Sequence, residues 1–99
     1  MRTPEFRETE RKLEEAERAG NAALRQAAAG VMETHACDSG FLEELAQFCG
    51  EKAYSVEDEE LSSTWMFLME QVWDYACKHL SREEYHRFCE AQKNGIKLY

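Results

Sequence analysis

The chain has 99 residues, of which 43% are hydrophobic and 32% are charged, and its formal net charge at pH 7 is −8. This length predicts a single domain, residues 1–99, with one core, and the hydrophobic fraction argues against a disordered acidic chain. The negative charge disfavours direct binding to nucleic acid or to a membrane surface. One Pro, five Gly and many good helix formers predict an all-α fold.

The predicted architecture is a compact bundle of four helices, or five if the first one breaks, built as two helical hairpins with a long N-terminal helix. No N-terminal apolar run suits a signal peptide, and no window of about 18 apolar residues suits a membrane span. We therefore expect a cytoplasmic protein whose four cysteines are reduced and pack as small hydrophobic side chains.

The first predicted helix covers residues 4–36 and is capped by Thr3, with Pro4 at its first helical position. Small residues continue the helical spacing through its middle, which favours one long helix with or without a kink. Gly20 and Asn21 could instead end one helix and begin another, because Gly is common after a helix and Asn before one.

The N-terminal half of this first helix is predicted to be mostly exposed. Within this predicted helix, Phe6 and Leu13 are the only large apolar residues before Leu24. Together with a face of alanines, these two side chains suggest a surface through which two copies of the chain could form a homodimer.

The second and third predicted helices cover residues 40–53 and 56–80. Ser55 and Asp58 form a capping signal for the third helix, whose apolar residues cover more than half of its circumference. This helix is therefore predicted to be the central one. Phe67 is out of place, because it lies in the middle of the remaining polar strip.

The fourth predicted helix covers residues 82–94 and leaves 95–99 as a short tail. Ser81 and Glu84 form a capping box at its start, and Asn94 with Gly95 is expected to stop it.

A pattern of fourteen residues occurs twice, 40 positions apart, in "ACDSGFLEELAQFC" and "ACKHLSREEYHRFC". We interpret it as a feature of helix packing, in which the Ala-Cys pair allows a close approach of helices and the Phe-Cys pair fills the space between them. Whether it records a duplicated hairpin is left open. The matching residues are Ala36, Cys37, Glu43, Glu44, Phe48 and Cys49, and Ala76, Cys77, Glu83, Glu84, Phe88 and Cys89.

The negative charge is concentrated in the middle of the chain. Residues 1–30 carry six acidic and six basic residues, residues 31–70 carry ten acidic residues against Lys52 alone, and residues 71–99 carry four acidic and five basic residues. The electrostatic complement of such a region is a protein with a basic surface. The predicted partner-binding residues are Glu57, Asp58, Glu59, Glu60, Phe67 and Glu70.

We interpret the chain as a non-enzymatic protein-interaction module, an adaptor or inhibitor, with no cofactor and no metal. Its acidic region is expected to engage a basic partner, for example a nucleic-acid-binding protein, by mimicking nucleic acid as small anti-restriction or anti-CRISPR inhibitors do; this is an analogy of function alone. The alternative is a small metal-binding or redox-sensing regulator that uses Cys and His side chains, with a tetrahedral set formed by His35, Cys37, Cys77 and His79.

Overall fold

The computed structural model describes residues 4–35 and 38–96, and their side chains except those of residue 5 and residues 93–96. Within these residues the chain is all-helical, which confirms the predicted fold class, and no strand is present. The five helices are α1 (Pro4–Ala19), α2 (Asn21–Thr34), α3 (Ser39–Ser55), α4 (Glu59–His79) and α5 (Arg82–Ile96).

The prediction of one helix over residues 4–36 is wrong, because Gly20 separates α1 from α2. Gly20 has φ 130° and ψ 169°, a backbone conformation that residues other than Gly rarely adopt. Its amide donates to the carbonyls of Ala16 and Glu17, both at 3.2 Å, and its own carbonyl accepts from Leu24 at 3.0 Å. The chain thereby reverses, and α1 packs against α2. The predicted cap Thr3 lies outside the described residues.

Replacing Gly20 with Ala is expected to destabilise the protein by about 1–3 kcal/mol, because Ala must adopt this strained backbone conformation. No atom lies within 4 Å of a Cβ at Gly20, so the cost comes from the backbone alone. Gly30 is the matched control. It lies inside α2, a Cβ there also meets nothing within 4 Å, and Gly30→Ala should stabilise the protein by about 0.5–1 kcal/mol. Urea unfolding of both variants tests the prediction, and equal effects would contradict it.

Helix α4 begins at Glu59, three residues later than predicted. Its N-cap is Asp58, whose Oδ1 accepts a hydrogen bond from the Leu61 amide at 3.1 Å. Ser55 does not cap α4, because it is the last residue of α3 and its hydroxyl donates to the Lys52 carbonyl at 3.3 Å. Helix α3 runs slightly beyond its predicted bounds at both ends and is capped by Asp38.

Helix α5 opens with the predicted capping box. The Ser81 amide donates to Glu84 Oε1, and the Glu84 amide donates to Ser81 Oγ, both at 3.2 Å. The predicted stop at Asn94 and Gly95 is wrong, because the helical backbone continues to Ile96. A glycine within the last turn costs a helix only about 1 kcal/mol, which is too little to end it.

Helix α4 buries one of its faces in the core, as its apolar spacing predicts, and α3 contributes still more buried residues. Trp65, Leu68, Val72 and Ala76 are fully buried along one of its faces. Helix α3 packs most extensively on α4, and α5 packs more extensively on α3 than on α4. The contact between α4 and α5, the two helices of the second predicted hairpin, is therefore not the main contact of either helix.

The expectation that the N-terminal half of the first helix is mostly exposed is wrong for its two large apolar residues. Phe6 and Leu13 are both 0% exposed. The Phe6 ring makes edge contacts with Phe41 at 5.3 Å and with Phe48 at 5.9 Å between ring centroids. These side chains belong to the core of this chain, and they do not present the dimer surface on which the homodimer hypothesis depended.

The repeated pattern does not occupy equivalent positions in the two helices that carry it. The N-caps of α3 and α5 are Asp38 and Ser81, which are 43 positions apart, whereas the pattern repeats after 40. Counted from the N-cap of its helix, Phe48 lies three positions further along than Phe88. Three positions are close to one helical turn, so both side chains lie on the buried face of their helices. The shared spacing therefore places one buried phenylalanine of each copy in the core, in helices whose N-caps are offset by three positions.

Candidate functional site

The exposed side of α4 is the candidate site. Side chains three or four positions apart on a helix share one face, and those on this side are exposed from the first turn of α4 nearly to its end. We call this surface the α4 face; it consists of Glu59, Glu60, Ser63, Phe67, Glu70 and Asp74.

Phe67 lies in the middle of the α4 face and is 42% exposed. It is one of two exposed large hydrophobic side chains among the described residues. The Arg25 guanidinium, from α2, lies over its ring with 5.2 Å between the Arg25 Cζ atom and the ring centroid. The structure therefore places Phe67 at the surface, as its position in the polar strip predicts.

Tyr54 is the other exposed large hydrophobic side chain, at 66% exposure. It lies at the end of α3, and the α3–α4 connection that follows carries Glu57 and Asp58. Tyr54 was not among the predicted partner-binding residues. The signal was present, because Tyr54 shares a helical face with Gln47 and Glu51, which is a polar strip.

Asp58 has a structural role that the other predicted partner-binding residues do not share. It is exposed, and one of its carboxylate oxygens accepts the capping hydrogen bond of α4. Glu57, Glu59 and Glu60 are exposed beside it. Negative charge at this end of α4 is also favoured by the helix dipole, so part of this acidity is explained by helix stability.

Lys52, the single basic residue of 31–70, does not neutralise the α4 face. Its ammonium group forms an ion pair with Glu17 of α1 at 3.5 Å and lies 5.6 Å from the centroid of the Trp65 ring. Within residues 4–35 and 38–96, no basic side chain forms an ion pair with the glutamates of the α4 face or with Glu57.

Asp74, at the far end of the α4 face, is the exception to this lack of pairing. Its carboxylate lies 3.3 Å from the Lys78 ammonium, and both side chains are more than two-thirds exposed. Ion pairs this exposed contribute little stability. The C-terminal end of the face is therefore partly neutralised, and its negative charge is concentrated towards the N-terminal end of α4.

The Cys and His side chains of the alternative hypothesis have other neighbours. The His35 ring stacks on Phe41 with 3.7 Å between centroids, and the His79 ring lies 5.1 Å from that of Tyr75. Cys37 lies outside the described residues. In the described part of the chain, no three His, Cys, Asp or Glu side chains are grouped so that they could hold a metal ion.

The three described thiols differ in their surroundings. Cys49 is buried, Cys77 is exposed and Cys89 is half-buried. Burial raises the pKa of the Cys49 thiol to about 12. Burial also raises the pKa of Tyr85, and the neighbouring Cys89 and Cys77 thiols raise it further.

The buried Cys49 thiol should make stability fall as the pH rises above 9. Its pKa is raised from an ordinary 9.0 to about 12 in the folded chain, so above pH 9 the unfolded state loses a proton that the folded state keeps. At a pH of about 10 this costs roughly 1.4 kcal/mol. Urea unfolding at pH 8 and pH 10 measures the loss. Between pH 8 and pH 10, Cys49→Ala should lose roughly 1.4 kcal/mol less stability than the wild-type chain. An equal loss in both proteins would contradict the raised pKa of Cys49.

A groove of 410 Å³ runs between α1 and α2. Its lining mixes both signs of charge, with Glu8, Glu15, Arg11 and Lys12 all contributed by α1. It has neither the net negative charge nor the exposed aromatic ring of the α4 face.

No protein-family model matches this chain, and no curated protein or solved structure is significantly similar to it. Among the described residues, no helix has the length and apolar character needed to cross a membrane.

Proposed function

We propose that the chain is a non-enzymatic protein-interaction module, an adaptor or inhibitor, that binds a partner with a basic surface through the α4 face. The observation that carries the proposal is Phe67, an aromatic ring 42% exposed within a row of carboxylates. A solvated acidic surface needs no aromatic side chain at its centre. Aromatic residues surrounded by polar ones are typical of the residues that dominate binding energy in protein interfaces.

The charge of the α4 face supports the same proposal. Glu59, Glu60 and Glu70 are exposed, and no described basic side chain pairs with them. Carboxylates left without internal partners retain their full attraction for an external cation. Such a field increases the rate of encounter with a basic partner and selects against acidic ones.

The narrower form of the proposal is that the α4 face and the acidic α3–α4 connection occupy a groove that otherwise binds nucleic acid. An acidic helix presents a row of negative charges along a rod, as a nucleic acid backbone does. Inhibition of a defence nuclease, of the anti-restriction or anti-CRISPR type, is the function that this form implies.

A photocrosslinking amino acid at position 67 tests the proposal in the native host. If the α4 face is the interface, p-benzoylphenylalanine in place of Phe67 should crosslink one basic protein, which mass spectrometry identifies. The matched control carries the same group at His86, which is exposed on α5, and should not crosslink that protein.

The narrower form needs one further measurement. The wild-type chain should displace a nucleic acid from the identified partner, whereas Phe67→Ala with Glu70→Lys should not. Crosslinking of the same protein with equal yield from positions 67 and 86 would contradict the proposed interface.

A further inference from the structure

The contact between Arg25 and Phe67 suggests what the α4 face recognises. Arg25 is the only basic residue of α2, and its guanidinium lies over the Phe67 ring, 5.2 Å from the centroid. No described carboxylate forms an ion pair with Arg25, although its guanidinium lies over a ring of the acidic α4 face. The ring is therefore the position on this surface that a guanidinium already occupies.

The chemistry of the α4 face favours arginine over lysine. A guanidinium is planar and weakly hydrated, so it can stack on an aromatic ring while its N–H groups point outward to carboxylates. Glu70 follows Phe67 by three positions on the same face, so its carboxylate is a neighbour of the ring. Glu60 precedes Phe67 by seven positions, about 10 Å along the helix axis, and adds only to the general negative charge of the face. A lysine ammonium would gain the attraction of these carboxylates, but it stacks less well on the ring because it is compact and strongly hydrated.

We propose that the α4 face binds a protein segment through an arginine side chain that stacks on Phe67 in the place of Arg25, with Glu70 accepting hydrogen bonds from its guanidinium. This inference rests on the proposed function and specifies the partner's chemistry. Arg25 then acts as an internal competitor that covers part of the ring in the free chain. The binding partner is a basic protein segment in which at least one arginine cannot be replaced by lysine.

The probes are two labelled peptides of equal length, one made of nine arginines and the other of nine lysines. Fluorescence anisotropy measures the affinity of each peptide for the wild-type chain and for Phe67→Leu, which keeps an apolar side chain without an aromatic ring. The quantity of interest is the ratio of the two affinities, because general attraction to carboxylates affects both peptides. Loss of the ring should reduce the arginine-to-lysine ratio by about two- to fivefold, the size of an exposed cation–π contact.

Arg25→Gln and Arg18→Gln form the matched pair of controls. Both remove one exposed positive charge, but only Arg25 lies over Phe67. Arg25→Gln should raise the ratio further than Arg18→Gln does, because it uncovers the ring. Circular dichroism of each variant shows whether the fold is retained.

The outcomes separate this inference from the proposed function. A ratio that falls in Phe67→Leu and rises in Arg25→Gln supports arginine recognition. If both peptides bind, if their binding weakens with salt and if the ratio of their affinities is the same in all variants, arginine recognition is wrong while the acidic binding surface stands. If neither peptide binds, both proposals fail.

Discussion

Replacing Trp65 with Ala will lower the free energy of unfolding by about 3–5 kcal/mol. Trp65 is fully buried at the centre of α4, and its ring makes an edge contact with Phe48 at 5.4 Å between centroids. Its indole N–H also donates to Glu17 Oε2 at 2.6 Å. The substitution therefore opens a cavity and leaves Glu17 without this donor, in a domain whose total stability is only about 5–15 kcal/mol.

Two further variants separate the parts of this effect. Trp65→Phe keeps most of the ring but removes the N–H donor, and should cost about 1.5–3 kcal/mol, the value of a hydrogen bond to a charged group. Phe67→Ala, on the same helix but at the surface, should change stability by less than about 1 kcal/mol. Chemical unfolding followed by circular dichroism measures all three. A Phe67 variant as unstable as Trp65→Ala would show that the exposed face of α4 has been misassigned.

Reversing four carboxylates around the α4 face should weaken partner binding by roughly a hundredfold or more, because like charges brought together across an interface cost several kcal/mol. The variant carries Lys in place of Glu57, Glu59, Glu60 and Glu70. Asp58 is kept, because its side chain caps α4 and its loss would destabilise the helix. Isothermal titration against the crosslinked partner measures the change.

The control has the same change in net charge at exposed positions elsewhere. Lys replaces Glu8 and Glu15 on α1 and Glu83 and Glu90 on α5, all exposed. If position decides binding, this variant should retain most of the affinity. Equal losses in the two variants would mean that net charge alone, and not the α4 face, attracts the partner.

The burial of α4 and the exposure of Phe67 followed from local spacing. Positions three and four apart share a helix face, so the apolar row that contains Trp65 had to turn towards the core. The same spacing left Phe67 among polar residues. These features depend only on the geometry of one helix, which is why the sequence was sufficient for them.

The breaks between helices were harder to predict, because the same residue type occurs both at a break and inside a helix. Gly20 ends α1 with a positive φ, whereas Gly30 lies inside α2 and Gly50 inside α3. Ser55 and Asp58 are both good capping residues, and which of them caps α4 depends on how far α3 continues. Packing between helices decides these cases.

Contacts between distant parts of the chain had no local signal at all. Trp65 bonds to Glu17, 48 positions away, and Arg25 covers Phe67 from another helix. Both depend on how α1 and α2 fold back after Gly20. The row of carboxylates was therefore visible in the sequence, whereas the guanidinium that lies on it was not.

The salt dependence of binding to the crosslinked partner tests the acidic interface most directly. Exposed carboxylates without internal partners act through a field that salt screens, with a Debye length that shortens as ionic strength rises. The affinity of the wild-type chain should fall by roughly tenfold or more between about 50 and 500 mM NaCl, and the loss should be much smaller for the variant with Lys at the four positions. An affinity that is the same at both salt concentrations would contradict binding through the α4 face.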